Sequence, residues 1–336
     1  MKTKLRFALR PLLAAALLVL GGAASAQVFR DNALQALLDA ERHAELDRIA
    51  LQRVTAQADD AQAVLALGLS ALRGNDAPRR EAAIQRAEAC LQKAPQAAPC
   101  HYALGTVLGV HAMSQGMLKI AASVGTVKES LLQAMTLDPQ WYPARSAVVE
   151  FYLMAPGFAG GSVAKAQEAA RTAAKPEQQQ ALEARVALHE ERFDAALKLL
   201  HELRPGADSA LADDAAQWAA AAGFGLLKAG RADAARPVFE RLLQQRPDQA
   251  IGAYGLARVA TDANAPAEAV RLLQQSAKLK GAENLPLDYR LGIALQVQGQ
   301  NDAARAAYDR FIKAGRGARS ALDDAKKRLA ALSANG

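Results

Sequence analysis

Residues 214–247 read DAAQWAAAAGFGLLKAGRADAARPVFERLLQQRP, and the organisation of the whole chain follows from this stretch. Asp214 to Ala229 is a run dominated by alanine and leucine, with Gly223 and Gly225 inside it. Gly230 breaks it, and Arg231-Ala232-Asp233-Ala234-Ala235 opens a second run that Pro247 closes. A glycine after a helix accepts the left-handed cap, an aspartate in a first turn faces the amide-rich helix end, and proline cannot continue a helix. The stretch therefore predicts a helix, a tight turn and a second helix of similar length.

The same pattern recurs downstream. Gly223, Ala257 and Gly292 are spaced by 34 and 35 residues, and Ala235, Ala269 and Ala304 keep those spacings, as do Phe239, Leu273 and Tyr308. Three columns sharing one period are the signature of a repeat architecture. A small residue on the first helix lets the second approach, and the ring or leucine one turn past the second helix's alanine fills the space between them. Gly299, followed by Gln300-Asn301-Asp302-Ala303-Ala304, repeats the turn.

These segments resemble tetratricopeptide repeats. Within 216–249 the residues at the family's positions are Gly223, Leu226, Gly230, Ala235, Phe239 and Pro247; within 285–318 they are Leu291, Gly292, Leu295, Gly299, Ala304 and Tyr308. Ala219 and Asp288 depart from the pattern where a large aromatic is common, and Phe311 replaces a small residue. Upstream the match is looser. Segment 61–97 carries Leu67-Gly68, Ala87, Cys90 and Pro95, and segment 98–141 carries Leu104-Gly105, Leu131 and Ala134 with an insertion. Segments 142–176 and 177–209 carry Tyr152 with Lys165-Ala166, and Phe193-Asp194-Ala195-Ala196.

The resemblance implies an all-α, right-handed superhelical solenoid of about eight helix-turn-helix repeats. Residues 27–60 form an N-terminal helical cap or degenerate repeat, 61–318 the solenoid and 319–336 a capping helix. In that last segment Leu322, Ala325, Leu329 and Leu332 share one face and charged residues cover the rest. A helical bundle is the rival fold.

The N-terminus has a separate logic. Lys2, Lys4, Arg6 and Arg10 precede an apolar run from Leu12 to Leu20, and Ala24-Ser25-Ala26 has the pattern of an export cleavage site, so residues 1–26 read as a signal peptide with Gln27 as the mature start. The expected location is the periplasm or outside the cell, with no membrane-spanning segment after cleavage. Without those four basic residues the net charge falls from +7 to +3, and the charges are interspersed, so no nucleic-acid footprint remains. Cys90 and Cys100 would meet oxidising conditions, where a disulfide and two buried thiols are the alternatives.

Little in the sequence points to catalysis. His43, His101, His111, His189 and His201 form no H-E-x-x-H motif, and Cys90, Cys100, His101 and His111 fit no tight ligand spacing, so neither a metal nor another cofactor is expected. Pro156-Gly157-Phe158-Ala159-Gly160-Gly161-Ser162 has amides ahead of a helix that could cradle an anion through Gly157, Gly160, Gly161 and Ser162, although an enlarged turn with Ser162 as N-cap is the simpler reading. Similar turns occur in secreted bacterial repeat proteins. The insertion from Val110 to Thr126 holds Met113 and Met117 and reads either as a mobile, partly apolar loop or as an extra helical turn.

By the family's inward-facing positions, a concave face would be lined by Tyr102, Arg185, Phe224, Tyr254, Arg258 and Tyr289. Rings and guanidinium forks there suit a protein or peptide partner. The expected function is a non-catalytic adaptor of the cell envelope. The alternative is a periplasmic carrier of a small apolar or anionic ligand, using the 110–126 insertion and the Gly157–Ser162 turn.

Overall fold

A computed structural model describes residues 28–73, 76–206, 208–315 and 317–334; residues 1–26, expected from the sequence to be a signal peptide, lie outside them. Among the described residues there are seventeen α-helices and no strand. Sixteen form eight consecutive pairs: α1 (Asn32–Asp39) with α2 (His43–Ala56), α3 (Ala61–Ala71) with α4 (Ala77–Lys93), α5 (Ala98–Gln115) with α6 (Met117–Leu137), and α7 (Tyr142–Met154) with α8 (Val163–Arg171). The series continues with α9 (Pro176–His189) and α10 (Phe193–Glu202), α11 (Ser209–Lys228) and α12 (Ala232–Gln245), α13 (Ala250–Asp262) and α14 (Pro266–Ser276), then α15 (Leu287–Val297) and α16 (Asn301–Ala314). The unpaired α17 (Arg319–Ala334) packs on α16.

The periodic columns do the packing that their chemistry predicts. A Cβ on Gly223 would stand 2.7 Å from Phe239 Cζ, and one on Gly292 would stand 2.5 Å from Tyr308 Cε1. Each ring thus lies in a space that only a glycine leaves open. Phe239 is fully buried and is gripped from a second side, since a Cβ on Gly255 of the next first helix would lie 2.0 Å from its Cδ1. One aromatic therefore sets the distance both within its own pair and to the following one. The middle repeat pairs the larger Ala257 with the smaller Leu273, both buried in the same cluster.

The turns within five pairs share one geometry. Arg42 N donates to Leu37 O, Arg192 to Ala187, Arg231 to Leu226, Ala265 to Ala260 and Gln300 to Leu295, the six-to-one bond that closes a helix in a Schellman turn. The residue before each donor has positive φ: Glu41 54°, Glu191 56°, Gly230 73°, Asn264 54° and Gly299 73°. Among the described residues five helix starts are capped by side chains, those of α1, α3, α4, α8 and α11. Asp60 accepts from Ala63 N at 3.1 Å, Asp76 from Arg79 N at 3.0 Å and Asp208 from Leu211 N at 2.9 Å.

The array curves until its early and late parts meet. Lys280 Nζ, between α14 and α15, lies 2.7 Å from Glu41 Oε1 in the α1–α2 turn and 3.6 Å from Asp248 Oδ2. Lys280 is fixed there by its own backbone, which accepts from Ala250 N and donates to Asp248 O, both at 2.9 Å. No helix packs extensively across this seam. On the same side of the chain's start, Arg30 is ion-paired with Asp138.

Candidate partner-binding face

The inner side of the curve is made by the first helices. Helix α3 touches α5, α7 touches α9, α9 touches α11 and α11 touches α13, and α7 reaches across to α11 two units on; the second helices share no comparable packing. When one row of helices is packed closer than the other, the first row is concave.

A polar cluster sits where three of these helices converge. Asp214 on α11 accepts from Tyr142 Oη at 2.8 Å and from Ser146 Oγ at 2.9 Å, both on α7. Burial pushes the Asp214 carboxyl above the ordinary aspartate range, the two hydroxyls pull it back, and the charges of Glu150 and Asp213 add to the rise. Burial, and then the charge of Asp214, raise the Tyr102 phenol as well. Beside this cluster Arg185 on α9 forms a bidentate pair with Glu150, with Nη2 2.7 Å from Oε2.

These contacts revise the expected lining. Tyr102 lies against Trp141 at 4.8 Å between ring centroids, and Tyr254 is only 5% exposed and packs on Phe224, which in turn packs on Phe239. Tyr289 stacks on Phe311 at 5.3 Å and donates to Asp324 at 2.9 Å, so it fastens α17 to the array. All four rings therefore contribute to helix packing; Tyr254 is buried, whereas Tyr102, Phe224 and Tyr289 stay half-exposed. Arg185 is occupied by Glu150. Of the six, Arg258 on α13 is half-exposed and has no hydrogen bond or ion pair among the described residues. It stands 34 residues after Phe224, whose helix exposes Gln217, Ala221 and Lys228 on the same stripe.

In the glycine turn the amides of Gly160, Gly161 and Ser162 are committed to backbone carbonyls, which favours the enlarged turn over the anion cradle. Ala159 N donates to Pro156 O, Gly160 N to Gly157 O, Gly161 N to Pro156 O and Ser162 N to Tyr152 O, at 2.8–3.1 Å. All four amides are satisfied inside the turn. Gly161 is fixed by sterics, since a Cβ there would fall 1.8 Å from Ala155 O. Ser162 caps α8, accepting from Lys165 N at 3.3 Å. The 110–126 insertion is not a loop but helical, added to α5 and α6, which are broken only at Gly116. Cys90 and Cys100 form a disulfide, which joins α4 to α5, and no metal-binding cluster occurs among the described residues.

The fold and this face define a helical-repeat solenoid of the tetratricopeptide type. Residues 226–282, from the end of α11 through α14, match the tetratricopeptide repeat family model, so this segment consists of such repeats and the other pairs extend its architecture. No curated protein matches the sequence. Among solved structures, the human IFIT1 dimer with PPP-AAAA is similar at a TM-score of 0.52 and 15% identity, over 90% of this chain and 72% of that one. A monomeric IFIT1 mutant with Gppp-AAAA gives 0.54 and 14%, over 88% and 69%. A chain of the APC/C hetero-tetramer Cut9-Hcn1 gives 0.49 and 14%; it covers 88% of this chain, which spans only 54% of that one. Likeness at this level of identity describes the fold.

Proposed function

We propose that the protein is a non-catalytic scaffold of the cell envelope that holds a polypeptide along the concave face of its first helices. Curved helical repeats serve as extended binding surfaces, and the observation that carries this reading is the close packing of first helices from α7 to α13, with Arg258 on α13 half-exposed and without a hydrogen bond or ion pair among the described residues. An unpaired arginine on a concave wall offers a planar fork to a carboxylate of an extended chain. The envelope location rests on residues 1–26, whose pattern is that of an export signal.

The test is photocrosslinking in living cells, with the probe replacing Arg258 and, as a control, the exposed Lys327 of α17. A discrete adduct of higher mass from Arg258 but not from Lys327 supports the scaffold. Equal adducts at both sites, or none from a folded and exported protein, refute groove binding. N-terminal sequencing of the exported protein should begin at Gln27; retention of residues 1–26 would refute the envelope reading.

A further inference from the structure

We infer that the bridge from Tyr142 and Ser146 to Asp214 is the pin that sets the curvature of the array, so that making or breaking it switches the solenoid between a closed turn and an open one. In a repeat array each unit touches its neighbours, and the curve is the sum of small rotations between them. Slight changes in those rotations would part units as distant as those of Glu41 and Lys280, yet the two side chains meet. Their exposed ion pair is screened by solvent and no helix packs extensively beside it, so it records the curve and does not impose it.

The cause lies inside the curve. Among the described residues, α7 and α11 are the one pair of first helices that packs closely past an intervening unit. The hydroxyls of Tyr142 and Ser146, both on α7 and both buried, donate to the same oxygen of Asp214, Oδ2, at 2.8 and 2.9 Å. Leu211 and Trp218 stand three residues before and four after Asp214, on its face of the helix. Both are buried in one apolar cluster with Tyr142, Val148 and Val149 of α7.

The sequence supplies this contact by starting one helix early. α11 begins at Ser209, ahead of the repeat boundary at 216, and the added turns carry Leu211 and Asp214. Arg185 of α9, the helix passed over, is held by Glu150 of α7, so all three first helices are tied together. Because the two hydroxyls share one acceptor in a buried place, losing it leaves both unsatisfied, and the bridge forms or breaks as a unit. A tie that spans two units on the inner side shortens the inner radius over both, and the ends of the array move by the accumulated angle.

The experiment measures the separation of Glu41 from Lys280 by pulsed dipolar spectroscopy on the full chain. Cys90 and Cys100 are bonded to each other and no cysteine is free, so spin labels go only to introduced thiols. Ala40→Cys and Lys278→Cys, both at exposed positions, stand on the two sides of the seam. The parent should give one short, narrow distance. Asp214→Ala, and separately Tyr142→Phe with Ser146→Ala, should raise the population of longer distances about tenfold or more, the factor that two buried hydrogen bonds supply. Asp214→Asn should stay closed, because its amide oxygen still accepts from both hydroxyls. Lys280→Ala should have far less effect. Labels at Gln274 and Lys313, exposed on α14 and α16, report whether neighbouring units keep their spacing in every variant.

An unchanged distance in folded Asp214→Ala would overturn the inference, as would equal opening by Lys280→Ala or by Asp214→Asn. So would a parent that is already open, because no pin then holds the curve. If Asp214→Ala does not fold, the paired hydroxyl variant decides, since its acceptor is intact and its readout is the same.

Discussion

Substituting Gly223 by alanine tests the packing rule that organises the array. Glycine in a helix interior costs about 1 kcal/mol relative to alanine, so propensity alone predicts a gain. The structure predicts the reverse. The new methyl would stand 2.7 Å from Phe239 Cζ, 3.0 Å from Cε2 and 3.2 Å from Cε1, where ordinary contact begins near 3.4 Å. The ring has little room to retreat, because Gly255 already lies against its Cδ1, Cγ and Cε1 edge. Overpacking of this kind costs about 1–3 kcal/mol, and the ring's confinement places it in the upper part of that range. Net of the propensity gain, Gly223→Ala should destabilise by about 1–2 kcal/mol. Repeat arrays need not unfold as one unit, so the assay is native-state hydrogen exchange over α11–α14 together with thermal unfolding. Adding Phe239→Leu, which copies the Ala257–Leu273 pairing of the next repeat, should recover about 1 kcal/mol as coupling. Gly109→Ala is the counter-case: its methyl would meet Val127 at 3.6 Å, an ordinary contact, and should stabilise by up to about 1 kcal/mol. A stabilised Gly223→Ala, or no coupling with Phe239→Leu, would refute the reasoning.

Three further outcomes are expected. Reducing the Cys90–Cys100 bond, which closes a ten-residue interval, should cost roughly 2.5–3 kcal/mol in the chain-entropy view, measured by urea unfolding with and without reductant. Glu191→Gly should stabilise by about 1 kcal/mol, because Glu191 holds φ at 56° where a side chain is strained; thermal unfolding checks it, and a loss would show that the glutamate makes a contact worth more than the strain. The Asp214 carboxyl is raised in the fold, so the folded state binds its proton more tightly than the unfolded chain does, and this group's contribution falls as pH rises from the ordinary aspartate value of 3.8. Asp214→Asn should flatten that part of the stability–pH curve, and an unchanged curve would exclude Asp214 as its source.

The repeat was legible because its columns report contacts between neighbours in sequence. Gly223 with Phe239 and Gly292 with Tyr308 are local pairs, and their sizes compensate within one period. The Schellman turns at Gly230 and Gly299 could be read for the same reason, whereas the identical turns at Glu41 and Glu191 carry no glycine and left no signal. The face was harder to read. Whether Tyr102, Phe224, Tyr254 or Tyr289 meets a partner or a neighbouring helix depends on how tightly successive first helices close, which is a property of the whole curve. Asp214 belongs to that class too, since its hydroxyl donors lie 72 and 68 residues upstream.

The seam at Lys280 gives the curve a doorway. Lys280 and Glu41 are each about half exposed and come from positions 239 residues apart, and such a solvent-screened surface pair is a weak latch. That weak latch has no extensive helix packing behind it among the described residues, so a polypeptide held as proposed above would be able to enter from the side and need not thread lengthwise. Salt weakens the latch further, which makes the rate of entry, more than the strength of holding, the quantity that ionic strength controls.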